Sequence, residues 1–204
     1  FVPSRGLGDV YKRQVLLGPL GAGIETLVDL GYFFVGGVGD ISGDGVPDIY
    51  GGDFSSRGSG GGSGSAYVFS GADGSVLLTL HGDEAGEGLG CGRGAGDMDG
   101  DGVPDLAVGS WGDDSAATNA GRVSVFSGVD GAVLYRFTNQ TAQENFGFDT
   151  VGVGDVNGDG AGDLVASAAT ANWVVMLAGT PTAAADTACL LYTSDAADDL
   201  YRVG

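Results

Sequence analysis

The sequence predicts an all-β fold built from about three copies of one four-stranded unit, and three observations carry that reading. An Asp/Gly-rich motif occurs three times at near-constant spacing. Short apolar runs of strand length follow each copy, and no stretch sustains a helical period apart from a weak Ala-rich patch at 183–185. Composition agrees with a turn-rich β protein: 42 of 204 residues are Gly, without the three-residue period of collagen, and 43% are hydrophobic.

The same composition excludes several classes. With 27 acidic residues against 8 Lys+Arg, the net charge of −19 offers nothing to offset phosphate repulsion, so no nucleic-acid partner is expected. Two cysteines cannot form a disulfide scaffold, and no run approaches the roughly 18 apolar residues of a membrane span.

The two ends read as foreign to the repeats between them. Ser4 to Gln14 back-translates into a string resembling an adapter used in transposase-made DNA libraries, and Cys189 to Asp198 into the reverse complement of the companion adapter. On that reading 1–14 and 189–204 are adapter-derived and disordered, and the biological chain is 15–188, a piece of a longer protein. Within it only Arg57, Arg93, Arg122 and Arg136 are basic, there is no Lys, and Cys91 is the one cysteine.

Val15-Leu16-Leu17 reads as the last strand of a preceding unit. The first acidic motif, Asp40 to Asp48, leads into Ile49-Tyr50. Ala66-Tyr67-Val68-Phe69 follows, then an Asp73-Gly74 hairpin turn and Val76-Leu77-Leu78. The second copy repeats the order, with Asp97 to Asp105, then Leu106-Ala107-Val108, Val123 to Phe126, Asp130-Gly131 and Val133-Leu134-Tyr135. The third has Asp155 to Asp163, Leu164-Val165-Ala166 and Trp173 to Leu177. The leading aspartates Asp40, Asp97 and Asp155 stand 57 and 58 residues apart. Four-stranded units repeated in this way point to blades of a β-propeller, here a partial one. Two of its faces would be left uncovered, with apolar surface and strand edges exposed. The segments 55–65 and 113–119 read as Gly/Ser-rich or polar loops without a packing signal.

The acidic motifs are candidate metal sites. Carboxylates ~5 Å apart at an effective dielectric near ~20 repel by about 3 kcal/mol per pair before screening, and a cation between them reverses that sign. Hard Ca²⁺ takes six to eight oxygens, which side chains at loop positions 1, 3, 5 and 9 and a carbonyl at position 7 can supply. The sets are Asp40, Ser42, Asp44, Val46 and Asp48; Asp97, Asp99, Asp101, Val103 and Asp105; and Asp155, Asn157, Asp159, Ala161 and Asp163. Val46, Val103 and Ala161 would give carbonyls. Gly45, Gly102 and Gly160 follow position 5, where a tight wrap needs positive φ. With four carboxylates the middle loop is expected to bind most tightly, and Ser42 makes the first the weakest. An EF-hand starts alike but needs a Glu at position 12 and flanking helices. Gly51, Val108 and Ala166 stand there, so that reading fails.

These residues resemble the FG-GAP repeat of integrin α-subunit propellers and their bacterial relatives. The pattern runs Phe-Gly, a strand, the Asp-rich loop, a strand, then Gly-Ala-Pro. Phe146-Gly147 matches its opening, Leu89-Gly90 matches with a one-residue shift, and Tyr32 takes that place in the first copy without a following Gly. Its end is degenerate at Gly52, Gly109-Ser110 and Ser167-Ala168. The resemblance implies a seven-bladed propeller with about three Ca²⁺ sites in this piece. It also implies an extracellular or cell-surface scaffold whose partners are a protein or glycan ligand and the remaining blades. Ligand contact is expected at loops such as Phe54 to Gly62 and Trp111 to Asn119. Catalysis is not expected from a chain with one His and no nucleophile motif. The rival expectations are the propeller portion of a secreted hydrolase or polysaccharide lyase, and a purely structural array.

Overall fold

The structure is a computed structural model that describes residues 34–171 and 173–179. The segments 1–14 and 189–204, the strand expected at Val15 to Leu17, Tyr32 and the Ala-rich patch at 183–185 lie outside the described residues.

Eleven strands form three antiparallel sheets, each a meander in which sequence neighbours are hydrogen-bonded neighbours. The first sheet holds β1 (Val35–Gly39), β2 (Asp48–Asp53), β3 (Ser65–Phe69) and β4 (Val76–His81). The second holds β5 (Leu89–Gly96), β6 (Asp105–Ser110), β7 (Arg122–Phe126) and β8 (Val133–Thr138). The third holds β9 (Phe146–Gly154), β10 (Asp163–Ala168) and β11 (Val174–Leu177), so it shows three strands among the described residues where four were expected.

Both Asp-Gly turns form as the sequence predicts. Gly74 and Gly131 take φ of +74° and +73°, and Ser70 and Ser127 close each turn by backbone hydrogen bonds of 2.8 Å to Ser75 and Ala132. At such φ a Cβ is strained, which is why glycine ends the turn.

Alternation along the strands makes the second sheet two-faced. Leu106 and Val108 join the core against the first sheet, with Tyr50, Ala66, Val68 and Leu80. Ala107, Val123 and Val125 join a second core against the third sheet, with Leu164, Ala166, Val175 and Leu177. β6 and β7 are buried throughout, with apolar side chains at Leu106 to Val108 and at Val123, Val125 and Phe126 and the polar Asp105, Ser110, Arg122 and Ser124 buried among them. Each fully buried Leu or Val contributes about 1.5–3 kcal/mol of burial free energy.

The inner strands β1, β5 and β9 are different, being rich in glycine. At Gly92, Gly94 and Gly152 a neighbouring backbone comes so close that a side chain has no room, whereas Gly37 in β1 faces open space. A Cβ at Gly152 would lie 2.4 Å from the carbonyl oxygen of Ala95.

The sheets are stitched by backbone as well as by side chains. Short parallel bridges join Gly64 to Leu89 and Gly121 to Phe146, the same pair one repeat apart. Around them Gly86, Gly88 and Leu89 donate to Gly61, Gly62 and Ser63, as Gln143, Asn145 and Phe146 donate to Thr118, Asn119 and Ala120. The loops that looked unstructured in the sequence therefore hold each sheet to the connection entering the next. Backbone pairing of this kind leaves no apolar pattern to read. Gly52 and Gly109 lie at the same junctions. A Cβ on them would sit 1.9 Å and 1.7 Å from the carbonyl oxygens of Gly90 and Gly147.

Candidate metal centre

Each acidic loop joins the first two strands of its sheet and wraps around its own first carboxylate. Asp40 accepts from the N–H groups of Gly43, Asp44 and Gly45 at 2.7, 3.0 and 2.8 Å. Asp97 accepts from Gly100, Asp101 and Gly102 at 2.7, 3.1 and 2.9 Å, and Asp155 from Gly158, Asp159 and Gly160 at 2.7, 3.1 and 2.8 Å. These donors, the Gly45 N–H foremost, hold the Asp40 carboxyl below the usual carboxylate range. The wrap needs left-handed backbone after position 5, and Gly45, Gly102 and Gly160 take φ of +86°, +90° and +90°, as the sequence predicts.

Position 5 caps the second turn. Asp44, Asp101 and Asp159 accept the N–H groups of Val46, Val103 and Ala161 at 2.8, 2.7 and 2.9 Å. At position 3, Ser42 donates to Asp40 at 3.3 Å, Asp99 accepts from the Asp101 N–H at 3.1 Å, and Asn157 accepts from the Asp159 N–H at 2.8 Å.

Position 9 does two jobs. Asp48, Asp105 and Asp163 are fully buried at the start of the second strand. One oxygen of each accepts from the loop, at Ile41 and Ser42, at Met98, and at Val156. The other accepts the N–H of Gly71, Gly128 or Gly179 at 2.9, 3.0 and 3.1 Å, in the turn that follows the third strand. Those three glycines were missed as site residues. A Cβ on any of them would lie 2.0 Å from the carbonyl oxygen of Pro47, Pro104 or Gly162. Their one signal in the sequence is recurrence, as Ser70-Gly71, Ser127-Gly128 and Ala178-Gly179.

The middle loop concentrates charge. Oxygens of Asp97, Asp99 and Asp105 lie within 4.8 Å of one another, the one such group of three acidic, His or Cys residues among the described residues. Asp101 is not a member of it. In the other loops Ser42 and Asn157 replace the position-3 carboxylate, which leaves two carboxylates at the corresponding places. Burial pushes the Asp105 carboxyl up to about 6 against the pull of Met98 and Gly128, and the charges of Asp99 and Asp101 push the same way. A cation would relieve that stress. Three converging carboxylates with a hard oxygen character fit Ca²⁺.

The expected ligand loops are partly spoken for. Phe54 and Trp111 pack against the first core, while Arg57 to Ser59 and Asp114 to Ala116 stay at the surface. Beside Trp111, Arg122 is buried between Glu87 at 2.5 Å and Asp113 at 2.8 Å, and Glu87 also accepts from Ser110 at 2.7 Å. Cys91 is fully buried, and desolvation pushes its thiol far above the ordinary range. His81 Nδ1 lies 2.9 Å from Ser65 Oγ, but Ser65 is fully buried at the first position of β3.

Residues 94–126 match the family model of the FG-GAP repeat, a span that runs from the end of β5 through the middle acidic loop and β6 to the end of β7. No curated protein matches the sequence. No helix among the described residues is long and apolar enough to cross a membrane.

Proposed function

From the FG-GAP repeat at its centre, we propose that this chain is a calcium-binding propeller scaffold, working outside the cell or at its surface. The convergence of Asp97, Asp99 and Asp105 within 4.8 Å is the observation that carries the reading. Asp97 and Asp105 would hold the ion with Asp99, Asp101 and the Val103 carbonyl. The outer loops would do the same with Asp40, Ser42, Asp44, Val46 and Asp48, and with Asp155, Asn157, Asp159, Ala161 and Asp163. The ion would supply charge neutralisation and cross-linking rather than chemistry. It would bind the loop between the first and second strands to the buried carboxylate that already reaches the turn after the third.

Sites with Kd of roughly 10⁻⁴ to 10⁻³ M are filled at extracellular calcium levels, which suits a surface scaffold. Its partner is a protein or glycan, met by the exposed parts of the loops at 57–59 and 114–116, with further blades of the same kind beside it. We place it among binding proteins rather than enzymes. The nearest approach to a catalytic pair, Ser65 with His81, buries its hydroxyl completely.

Calorimetric titration tests this. The expected result is about three calcium ions per chain, falling by one in Asp97→Asn/Asp105→Asn. No heat beyond dilution, or an unchanged stoichiometry in that variant, would overturn it.

A further inference from the structure

Asn157 and Gly158 form the one Asn-Gly pair in the sequence, whereas Asn119, Asn139, Asn145 and Asn172 precede Ala120, Gln140, Phe146 and Trp173. A side-chain amide followed by glycine is open to attack by its own main chain, because no side chain shields the next nitrogen. The third acidic loop gathers the groups that this attack uses. Asn157 and Gly158 are both exposed, and a Cβ on Gly158, whose φ is +79°, would meet nothing within 4 Å. The Gly158 N–H donates to Asp155 Oδ1 at 2.7 Å, so a carboxylate already stands beside the attacking nitrogen. The Asp159 N–H donates to Asn157 Oδ1 at 2.8 Å, which polarises the amide carbonyl and stabilises negative charge gathering on that oxygen. The leaving nitrogen, Asn157 Nδ2, donates to Asp159 Oδ2 at 3.0 Å. Ring closure takes rotation about the bonds of Asn157 itself, into solvent.

We propose that Asn157 is a self-deamidation site, and that its aspartate product gives the third loop the carboxylate set of the middle one. The Gly158 nitrogen bonds to Asn157 Cγ and passes its proton to Asp155. The Cγ–Nδ2 bond breaks and, with that proton returned to Nδ2, ammonia leaves. Water then opens the succinimide. Cleavage of the new bond between nitrogen and Cγ gives aspartate, and cleavage of the bond to the original main-chain carbonyl carbon gives isoaspartate. Position 3 is the one side-chain position of the proposed sets at which the loops differ, with Ser42, Asp99 and Asn157. Aspartate at 157 puts a third carboxylate beside Asp155 and Asp163, as Asp99 stands beside Asp97 and Asp105. Isoaspartate instead lengthens the main chain inside the wrap around Asp155 and undoes it. The effect on ion binding rests on the calcium reading. An ion held by Asp155 and Asn157 occupies both the proton acceptor and the amide oxygen, so the filled loop converts slowly and the empty one quickly.

Peptide mass mapping of the whole chain, aged in neutral buffer with EGTA, tests this. Asn157 should gain the mass of an amide-to-acid exchange severalfold faster than Asn119, Asn139 and Asn145, and isoaspartate methyltransferase should label part of the product. Asn157→Gln, which would have to close a ring one atom larger, should stay intact at that position. Calcium should slow conversion at Asn157 severalfold. In a chain whose other loops carry Asp40→Asn and Asp97→Asn, Asn157→Asp should bind calcium severalfold more tightly by calorimetry than the same chain with Asn157. Circular dichroism checks that the variants fold. Asn157 converting no faster than the other asparagines would overturn the site. Asn157→Asp binding no more tightly, while the chain with Asn157 binds, would overturn the carboxylate set assigned to the product. Conversion at Asn157 in EGTA with no calcium bound by any of these chains supports the site and fails the calcium reading alone.

Discussion

Replacing Gly109 by alanine puts one methyl group where two backbones meet. The added Cβ would lie 1.7 Å from the Gly147 carbonyl oxygen and 2.6 Å from its carbon. Ordinary contact begins near 3.4 Å, so β9 must retreat by about as much as the present gap. No flexible side chain can absorb that movement, because the three atoms nearest the new methyl are all main chain of Gly147. Overpacking of a core costs about 1–3 kcal/mol, and a clash with rigid backbone belongs at the top of that range or beyond it. At about 3 kcal/mol, and with ~2–4 °C per kcal/mol for a chain of this size, Tm should fall by roughly 6–12 °C. Thermal unfolding followed by circular dichroism at fixed calcium measures it. Gly61→Ala is the control, since a Cβ there meets nothing within 4 Å, and it should melt within about 0.5 kcal/mol of wild type. Gly109→Ala melting with wild type would refute the claim that glycine is there for backbone approach between sheets.

Calcium affinity should rank the middle loop first and the first loop last, and Ser42→Asp should tighten the first loop, as read by titration of single-loop variants. Calcium binding at the middle loop should weaken about tenfold per pH unit below about 6, where the Asp105 carboxyl takes up its proton. Because that carboxyl is raised in the folded chain, its contribution to metal-free stability is present in acid and lost as pH rises through about 6. The gap between melting in calcium and in EGTA should therefore widen from pH 5 to 7, and Asp105→Asn should flatten that change. Arg122→Met leaves Glu87 and Asp113 buried without their cation and should cost about 3–5 kcal/mol by urea denaturation, with far-UV spectra unchanged.

Side-chain pattern carried the strands that bury side chains. Leu106 to Val108 is an apolar run, Val123, Val125 and Phe126 are apolar around a single Ser124, and β6 and β7 lie on them. The acidic loops were legible for a similar reason, since four aspartate-or-substitute positions recur with their glycines and the φ at Gly45, Gly102 and Gly160 follows. The pattern was silent where backbone meets backbone. Nothing in Gly-rich β1 or β5 shows which face is covered. Gly128 could be identified as the donor that closes the Asp105 loop only once the turn after β7 was seen beside it. The segment 55–65 failed for the same reason, because its partners are the main-chain N–H groups of Gly86, Gly88 and Leu89.

Closure of the three carboxylate loops by divalent ions is measured most directly by thermal unfolding of one sample in excess calcium and after EGTA. At ~100-fold excess over Kd each filled site adds about 2.7 kcal/mol, which is roughly 5–11 °C of Tm for a single site. A large calcium-dependent rise, diminished in Asp97→Asn, is the predicted result. Superimposable melting curves with and without calcium would contradict it.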